Sequence, residues 1–168
     1  IAQRLIPLLS TRYRVIGLVR SAANAEKLRL LGARAILGDL DQRNSLARLS
    51  DMADILIYLA PPPAQGKKDT RLAHALAALS MPHHTSKKQI VSQQYLKRQT
   101  GLKRCIYIST TGVYGDCQGE WVDETRPLAA QSARAIRRVD AEQQIRAWST
   151  RTQINSSILR VPGIYAEN

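Results

Sequence analysis

The sequence predicts an α/β protein built on a doubly wound parallel sheet, and three observations support this fold class. Short apolar segments alternate along the chain with segments of helical periodicity, which is typical of parallel strands joined by crossover helices. The apolar segments are largely continuous, as expected of strands covered on both faces. Several of them end in glycine, hydroxyl or charged residues, and right-handed crossovers would gather those ends at one edge of the sheet.

The pattern assigns five strands and five main helices to the chain. The predicted strands are residues 14–19, 34–37, 53–60, 105–108 and 156–160. The predicted helices are residues 1–10, 22–31, 44–49, 69–79 and 131–148. Gly32 is expected to end the second helix, and Pro61 to Pro63 end the third strand because proline has no amide hydrogen to donate. The segment 81–103 is less regular, with a loop at 81–88 and a polar helix predicted over 89–99.

Length and composition place the chain among single globular domains. Its 168 residues are 44% hydrophobic, which suits one domain with a sizeable core. No apolar run is long enough to predict a membrane span. The first residues lack both an initiator methionine and a signal-peptide layout, so we expect a fragment or a processed chain. Two cysteines make no disulfide framework, and we expect a cytoplasmic location.

The charge is strongly basic, with 25 Lys and Arg against 13 acids and a net charge of +12. Such a balance favours acidic partners, including nucleic acid. We interpret it instead as solvated helix faces, because the charges are spread along the chain and few aromatics stand among them. No metal site is predicted, since the adjacent His83 and His84 do not share a helix face and have no cysteine or carboxylate partner nearby.

One stretch links the strand pattern to chemistry. The strand over 105–108 runs into Ser109, Thr110 and Thr111, so hydroxyls are expected at the carboxyl edge of the sheet, where ligands bind in open α/β folds. Gly112 and Gly115 follow and are expected to turn the chain sharply, because glycine tolerates positive φ.

Four motifs in a fixed order resemble the extended short-chain dehydrogenase/reductases. They are Ser-Thr-Thr-Gly-Val-Tyr-Gly-Asp at 109–116, Asp123-Glu124 with Pro127, Ala141-Glu142 in a helix, and Leu-Arg-Val-Pro-Gly-Ile-Tyr at 159–165. Within that group the chain is similar to the NAD-dependent epimerase/dehydratase branch and its atypical members. The resemblance implies one NAD(P)-binding Rossmann-like domain over residues 1–168. It also implies that the first strand and its Gly-rich turn precede Ile1, and that most of the substrate-binding part follows Asn168.

The resemblance also implies a set of cofactor contacts. They are Arg20, Ser21, Asp39, Leu40, Leu59, Ala60, Pro61, Thr110, Arg138, Pro162 and Gly163. An arginine after the second strand of such folds accommodates the 2′-phosphate of NADP, whereas an acid there holds the free ribose of NAD. Arg20 therefore predicts NADP in preference to NAD, although it could be an ordinary surface arginine. Asp39 matches the family's adenine contact, or it caps the turn that follows.

The catalytic residues of the family are only partly present. Thr110 occupies the position of the family's substrate-binding Ser or Thr. None of the six tyrosines is followed four positions later by lysine, and alignment on Glu142 places Arg134 and Arg138 at the tyrosine and lysine positions. Arginine stays protonated, so it is a poor general base. Arg138 could still contact ribose or phosphate, and Tyr114 is a weaker candidate to replace the missing tyrosine.

Three functions are therefore weighed. The first is an NADP-binding relative of nucleotide-sugar epimerases, dehydratases and related oxidoreductases, acting on a small molecule. The second is a non-catalytic protein that senses NADP, which the missing Tyr-x-x-x-Lys pair favours. The third, a nucleic-acid binder, has no supporting motif. Relatives often dimerise through the helix predicted at 131–148, so a homodimer is also considered. We expect the 168-residue chain to bind cofactor weakly and to turn over little substrate.

Overall fold

The structure is a computed structural model and describes residues 1–80 and 101–163. Within these ranges, four α-helices alternate with five strands. The helices are α1 (Ala2–Ser10), α2 (Ala22–Leu30), α3 (Thr70–Leu79) and α4 (Ala133–Thr152). The strands are β1 (Ile16–Val19), β2 (Arg34–Leu37), β3 (Ile55–Tyr58), β4 (Arg104–Thr110) and β5 (Asn155–Val161). Two 3-10 turns, Arg43–Leu46 and Thr111–Tyr114, complete the regular structure.

Every strand pairing in the described residues is parallel, as predicted. β1 pairs with β2 from Ile16 opposite Arg34 to Val19 opposite Leu37. β4 lies between β3 and β5 in a second sheet. The strands thus form two sheets where the sequence pattern predicted one, because no hydrogen bonds join β1 to β3 within the described ranges. The predicted α/β architecture of parallel strands with flanking helices is confirmed.

Each sheet is associated with its own apolar core. The larger core contains side chains of α3, α4, β3 and β4, with Tyr107, Ile145 and Trp148 almost wholly buried. The smaller core contains Ile6 of α1, Leu28 of α2 and Ala33. α1 and α2 thus contribute to the smaller core and α3 and α4 to the larger one, against which Leu40, after β2, also packs.

The helix starts are fixed by side-chain caps that follow from residue type. Ser21, Asp69 and Ser132 each accept a hydrogen bond from a backbone N–H in the first turn of α2, α3 and α4, which satisfies donors that a helix leaves unpaired. Gly32 follows α2 with φ of +89°, as expected of a residue that ends a helix. The caps set where the helices begin after β1 and after β3.

Several helix and strand bounds in the structure differ from those predicted from the sequence. The helix predicted at 44–49 is the 3-10 turn at 43–46, and the helix predicted at 131–148 is α4, displaced toward the carboxyl end. β4 extends through Ser109 and Thr110, so these hydroxyls belong to the strand. Gly112 lies inside a 3-10 turn; Gly115, with φ of +75°, makes the sharp turn. The predictions for 81–88 and 89–99, including His83 and His84, lie outside the described residues.

Two kinds of feature are absent from the described residues. No helix among them has the length and apolar character needed to cross a membrane. No group of three or more histidine, cysteine or carboxylate side chains in the same ranges is arranged to hold a metal ion.

Candidate functional site

A cleft of about 250 Å³ opens at the carboxyl ends of β1, β2 and β3. This is the edge at which ligands bind in open parallel sheets. Its walls come from both sheets and from the first turns of α2 and α3. The lining residues are Leu18, Val19, Arg20, Asn24, Gly38, Asp39, Leu40, Ala60, Pro61 and Arg71.

The wall formed by the end of β1 is suited to an anion. Arg20 is exposed and makes no salt bridge with the described residues. The next residue, Ser21, caps α2 by accepting from the Asn24 amide at 3.3 Å. An arginine beside the amino end of a helix combines a fixed positive charge with the positive end of the helix dipole. The arrangement would hold a phosphate group.

The wall after β2 is a tight turn built on Asp39. The Asp39 amide donates to the Ser45 hydroxyl at 2.8 Å, and one Asp39 carboxylate oxygen accepts from the Asp41 amide at 2.9 Å. The side chain therefore caps the turn, one of the two roles expected for it. A Cβ added at Gly38 would lie 2.9 Å from the Leu18 side chain and 3.2 Å from the Ser45 carbonyl. The absence of a side chain at Gly38 keeps this part of the cleft narrow and mainly backbone.

The third wall contains an ion pair that the sequence pattern did not reveal. Arg71 of α3 donates from Nε to one Asp41 oxygen at 2.7 Å and from a terminal nitrogen to the other at 2.6 Å. The Arg71 guanidinium holds the pKa of the Asp41 carboxyl below its ordinary value. His74, one turn further along α3, hydrogen-bonds the Leu40 carbonyl at 2.7 Å. No local signal could have paired residues 30 positions apart.

Thr110 and Tyr114, the two uncharged catalytic candidates, lie at the end of β4. The Thr110 hydroxyl accepts from the Gly112 amide at 3.2 Å, and its own proton has no acceptor in the described residues. The Tyr114 hydroxyl accepts from Arg160 at 2.7 Å, and its ring lies under the same guanidinium at 4.8 Å. Tyr114 is therefore held as a packing partner of Arg160, whereas Thr110 keeps a donor available at the strand end.

A buried ion pair fixes the elements around Thr110. Arg160 of β5 donates to both oxygens of Glu142 on α4, at 3.1 Å and 2.8 Å, and Glu142 is only 1% exposed. Ser109 adds a hydrogen bond to Glu142 at 2.6 Å. Pairing with Glu142 raises the pKa of Arg160. α4, β4 and β5 are thereby joined by charge-assisted hydrogen bonds, which are among the strongest in proteins.

The two arginines at the tyrosine and lysine positions differ in environment. Arg134 is exposed on α4. Arg138 is only 6% exposed. Arg138 donates to the Tyr107 hydroxyl at 2.8 Å and lies over its ring. Burial raises the pKa of Tyr107 to about 12, and Arg138 partly opposes that rise.

Arg137 is a second arginine of α4 that departs from the solvated helix faces expected for the basic residues. It is 7% exposed and donates to the Gly66 carbonyl at 2.8 Å. Both Arg137 and Arg138 are buried because each donates a hydrogen bond to a neighbouring part of the fold. Periodicity in charge alone cannot reveal such partners.

The predicted cofactor residues fall into three groups. Arg20, Asp39, Leu40, Ala60 and Pro61 line the cleft together. Their neighbours Ser21 and Leu59 do not line it. A third set belongs to other elements and also lies outside the lining: Thr110, Arg138, Pro162 and Gly163. The predicted contacts did not include five residues of the lining: Leu18, Val19, Asn24, Gly38 and Arg71.

Two parallel sheets with flanking helices and a polar cleft at the carboxyl ends of the strands define a Rossmann-like α/β protein. A model of the NAD dependent epimerase/dehydratase family matches residues 2–168. The chain belongs to this family, as its sequence motifs predicted. No curated protein sequence matches the chain significantly.

Solved structures agree with this fold. The chain is similar to a conserved protein of unknown function from Silicibacter pomeroyi, with 29% identity and a TM-score of 0.68 over 98% of this chain and 50% of that one. It also resembles UDP-glucuronic acid 4-epimerase from Bacillus cereus in complex with NAD, with 19% identity and a TM-score of 0.69 over 97% and 53% of the two chains. A dTDP-glucose 4,6-dehydratase from Streptomyces venezuelae is 19% identical to this chain, with a TM-score of 0.67 over 95% of this chain and 51% of that one. The chain thus spans about half the length of the structures it matches.

Proposed function

We propose that this chain forms the nucleotide-binding part of an NADP-preferring relative of the nucleotide-sugar epimerases and dehydratases. The observation that carries the proposal is the position of Arg20 on the wall of a cleft at the carboxyl ends of three strands, exposed and without a salt bridge to any residue that the structure describes. The cleft residues fit the adenosine end of a dinucleotide. Arg20 and the start of α2 would hold a 2′-phosphate, and the narrow turn at Gly38 and Asp39 would face the adenine.

The residues near Thr110 would supply positioning and not general-base chemistry. When bound, the nicotinamide accepts or returns a hydride. Thr110 would donate its hydroxyl proton in a hydrogen bond to a substrate oxygen, whereas the guanidinium groups of Arg134 and Arg138 offer only donors and cannot remove a proton from an alcohol. Arg138 is also occupied by Tyr107.

This occupied arginine favours a second candidate function, a non-catalytic NADP sensor. Turnover separates the two functions. A sensor binds NADPH without interconverting UDP-hexoses or oxidising them, whereas an enzyme releases a new sugar nucleotide that chromatography detects.

Calorimetric titration with NADPH and NADH tests the cofactor proposal. We expect tight NADPH binding by a form extended at both ends and weak binding by the 168-residue chain. Arg20→Ala should lower NADPH affinity roughly ten- to a hundredfold, as expected for loss of a charge-assisted hydrogen bond, and leave NADH affinity unchanged.

Arg14→Ala is the matched control, because Arg14 is equally exposed but precedes β1 at the opposite end of the strand. It should leave both affinities unchanged. Equal NADPH affinity in Arg20→Ala and wild type would refute the phosphate contact, and no binding by a folded extended form would refute the cofactor proposal.

A further inference from the structure

The Arg71–Asp41 ion pair stands on the same cleft as Arg20 but has no role in the predicted cofactor contacts. Arg71 uses two of its three nitrogens on Asp41, and the third points to the Pro61 carbonyl at 3.4 Å. Its side chain is 21% exposed, against 44% for Asp41. The planar fork of arginine favours this two-point contact. The ion pair is therefore well oriented although both side chains are partly exposed.

The position of Arg71 is unfavourable for a cation on its own. Arg71 is the second residue of α3, whose amino end carries the positive end of the helix dipole. Asp41 compensates for that position. Asp41 also feels the charge of Arg20, which contributes to the lowered pKa of its carboxyl after the hydrogen bond and the charge of Arg71. The Asp41 carboxylate is therefore within electrostatic range of both arginines.

This geometry sets the charge of the cleft. Without Arg71, the Asp41 carboxylate would stand near Arg20 as an uncompensated negative charge and would repel a phosphate there. With Arg71 in place, the pair is neutral, and Arg20 and Asp39 are the charged side chains that remain on the cleft lining.

We propose that the Arg71–Asp41 ion pair is a second determinant of selectivity for a 2′-phosphorylated adenosine, acting by cancelling the Asp41 charge beside Arg20. This inference rests on the proposed function, because it assumes that the adenosine end of the cofactor occupies the cleft. Arg71 acts here as a positioning residue through its charge and does not contact the phosphate.

Adenosine 2′-monophosphate and adenosine are suitable probes, because both are small enough for the cleft and differ only by the phosphate. The readout is the ratio of their dissociation constants for the 168-residue chain, measured by calorimetry at low salt. Arg71→Met should lower the preference for the phosphate about three- to tenfold, the size expected for one charge several ångströms away across partly solvated protein. Asp41→Asn should raise it by a similar factor.

The double variant with Asp41→Asn and Arg71→Met decides the mechanism. Its cleft has the same net charge as the wild type, so the preference should return to within about twofold of wild type. If Arg71 contacted the phosphate directly, the double variant would stay as weak as Arg71→Met, and that result would overturn the inference. A loss that affects adenosine equally would indicate a structural role and would also overturn it.

The matched control is the double variant with Lys103→Met and Asp54→Asn. This ion pair is exposed, and its two residues directly precede β4 and β3, at the ends of the strands away from the cleft. The control variant should change neither affinity, and circular dichroism should show every variant folded. A wild type that does not prefer the phosphorylated probe overturns the proposed function and this inference together. A wild type that prefers it, with no recovery in the double variant, overturns the inference alone.

Discussion

Arg160 and Glu142 face each other side-on across the interface between β5 and α4, with two nitrogens of the guanidinium donating to both carboxylate oxygens. The Arg160 and Glu142 side chains are 11% and 1% exposed. Breaking a buried pair leaves a charge without a partner, which costs far more than breaking an exposed one. This pair therefore anchors the strand ends on which Ser109 and Thr110 lie.

Glu142→Gln should lower the free energy of unfolding by about 3 kcal/mol, because Arg160 keeps its charge and loses its carboxylate. Urea unfolding measures the change. The matched control is Glu26→Gln, since the Arg29–Glu26 pair is about 60% exposed on both sides, and it should stay within about 0.5 kcal/mol of wild type. Equal losses of unfolding free energy in the two variants would show that the buried pair contributes no more to stability than the exposed one.

The burial of the Asp69 side chain predicts an unusual dependence of the protein's stability on pH. Its carboxylate is fully buried and caps α3, one oxygen has no partner among the described residues, and burial raises its pKa above the ordinary 3.8. The folded state then binds the proton more tightly than the unfolded chain. The contribution of Asp69 to the stability of the fold is therefore most favourable below pH 3.8. It is lost as the pH rises through the raised pKa of the folded state.

Asp69→Asn keeps a good helix cap and removes this titration. The variant should gain stability relative to wild type as the pH rises from about 3.5 to 7, with little difference at the acid end. Urea midpoints across that interval give the comparison. A difference that is constant with pH would contradict a raised pKa in the folded state.

The bounds of β2 and the approximate positions of the other strands follow from sequence, because continuous apolar runs and glycine stops are local signals. Arg20 and Asp39 could be placed at the strand ends for the same reason. The burial of Arg138 and the pairing of Asp41 with Arg71 could not be predicted, because each depends on a partner about 30 positions away. The separation of β1 from β3 depends likewise on tertiary pairing.

Gly115 provides a test of backbone geometry. Its φ of +75° with ψ of −153° is a conformation open almost only to glycine, and an added Cβ would overlap the Ala129 carbonyl oxygen. Gly115→Ala should cost about 2–4 kcal/mol of unfolding free energy.

Gly119 is the control for this test, because its φ is +79° but nothing lies within 4 Å of an added Cβ. Gly119→Ala should cost about 1 kcal/mol. If the two alanine variants unfold at the same urea concentration, the overlap with Ala129 has no energetic consequence.

The two cysteines should differ sharply in reactivity. Cys105 in β4 is fully buried, and burial raises the pKa of its thiol to about 12, whereas Cys117 is half-buried in a loop. A thiol reagent such as dithionitrobenzoate, used near pH 8, reacts with the thiolate. One thiol per chain should react quickly and the second only in urea. Cys117→Ser should remove the fast phase, and a fast phase that persists in this variant would contradict the burial of Cys105.

The two sheets, each with its own core, have a consequence for local opening. Because β1 and β3 share no hydrogen bonds in the part of the chain that the structure describes, amide hydrogen exchange should report two units that open with different free energies, the one around Ile6 and Leu28 opening first. The cleft takes its walls from both units. A ligand seated there would add a further link between the two units, beside the contacts of Arg71 with Asp41 and of His74 with Leu40, and should slow exchange in β2 and in β4 together.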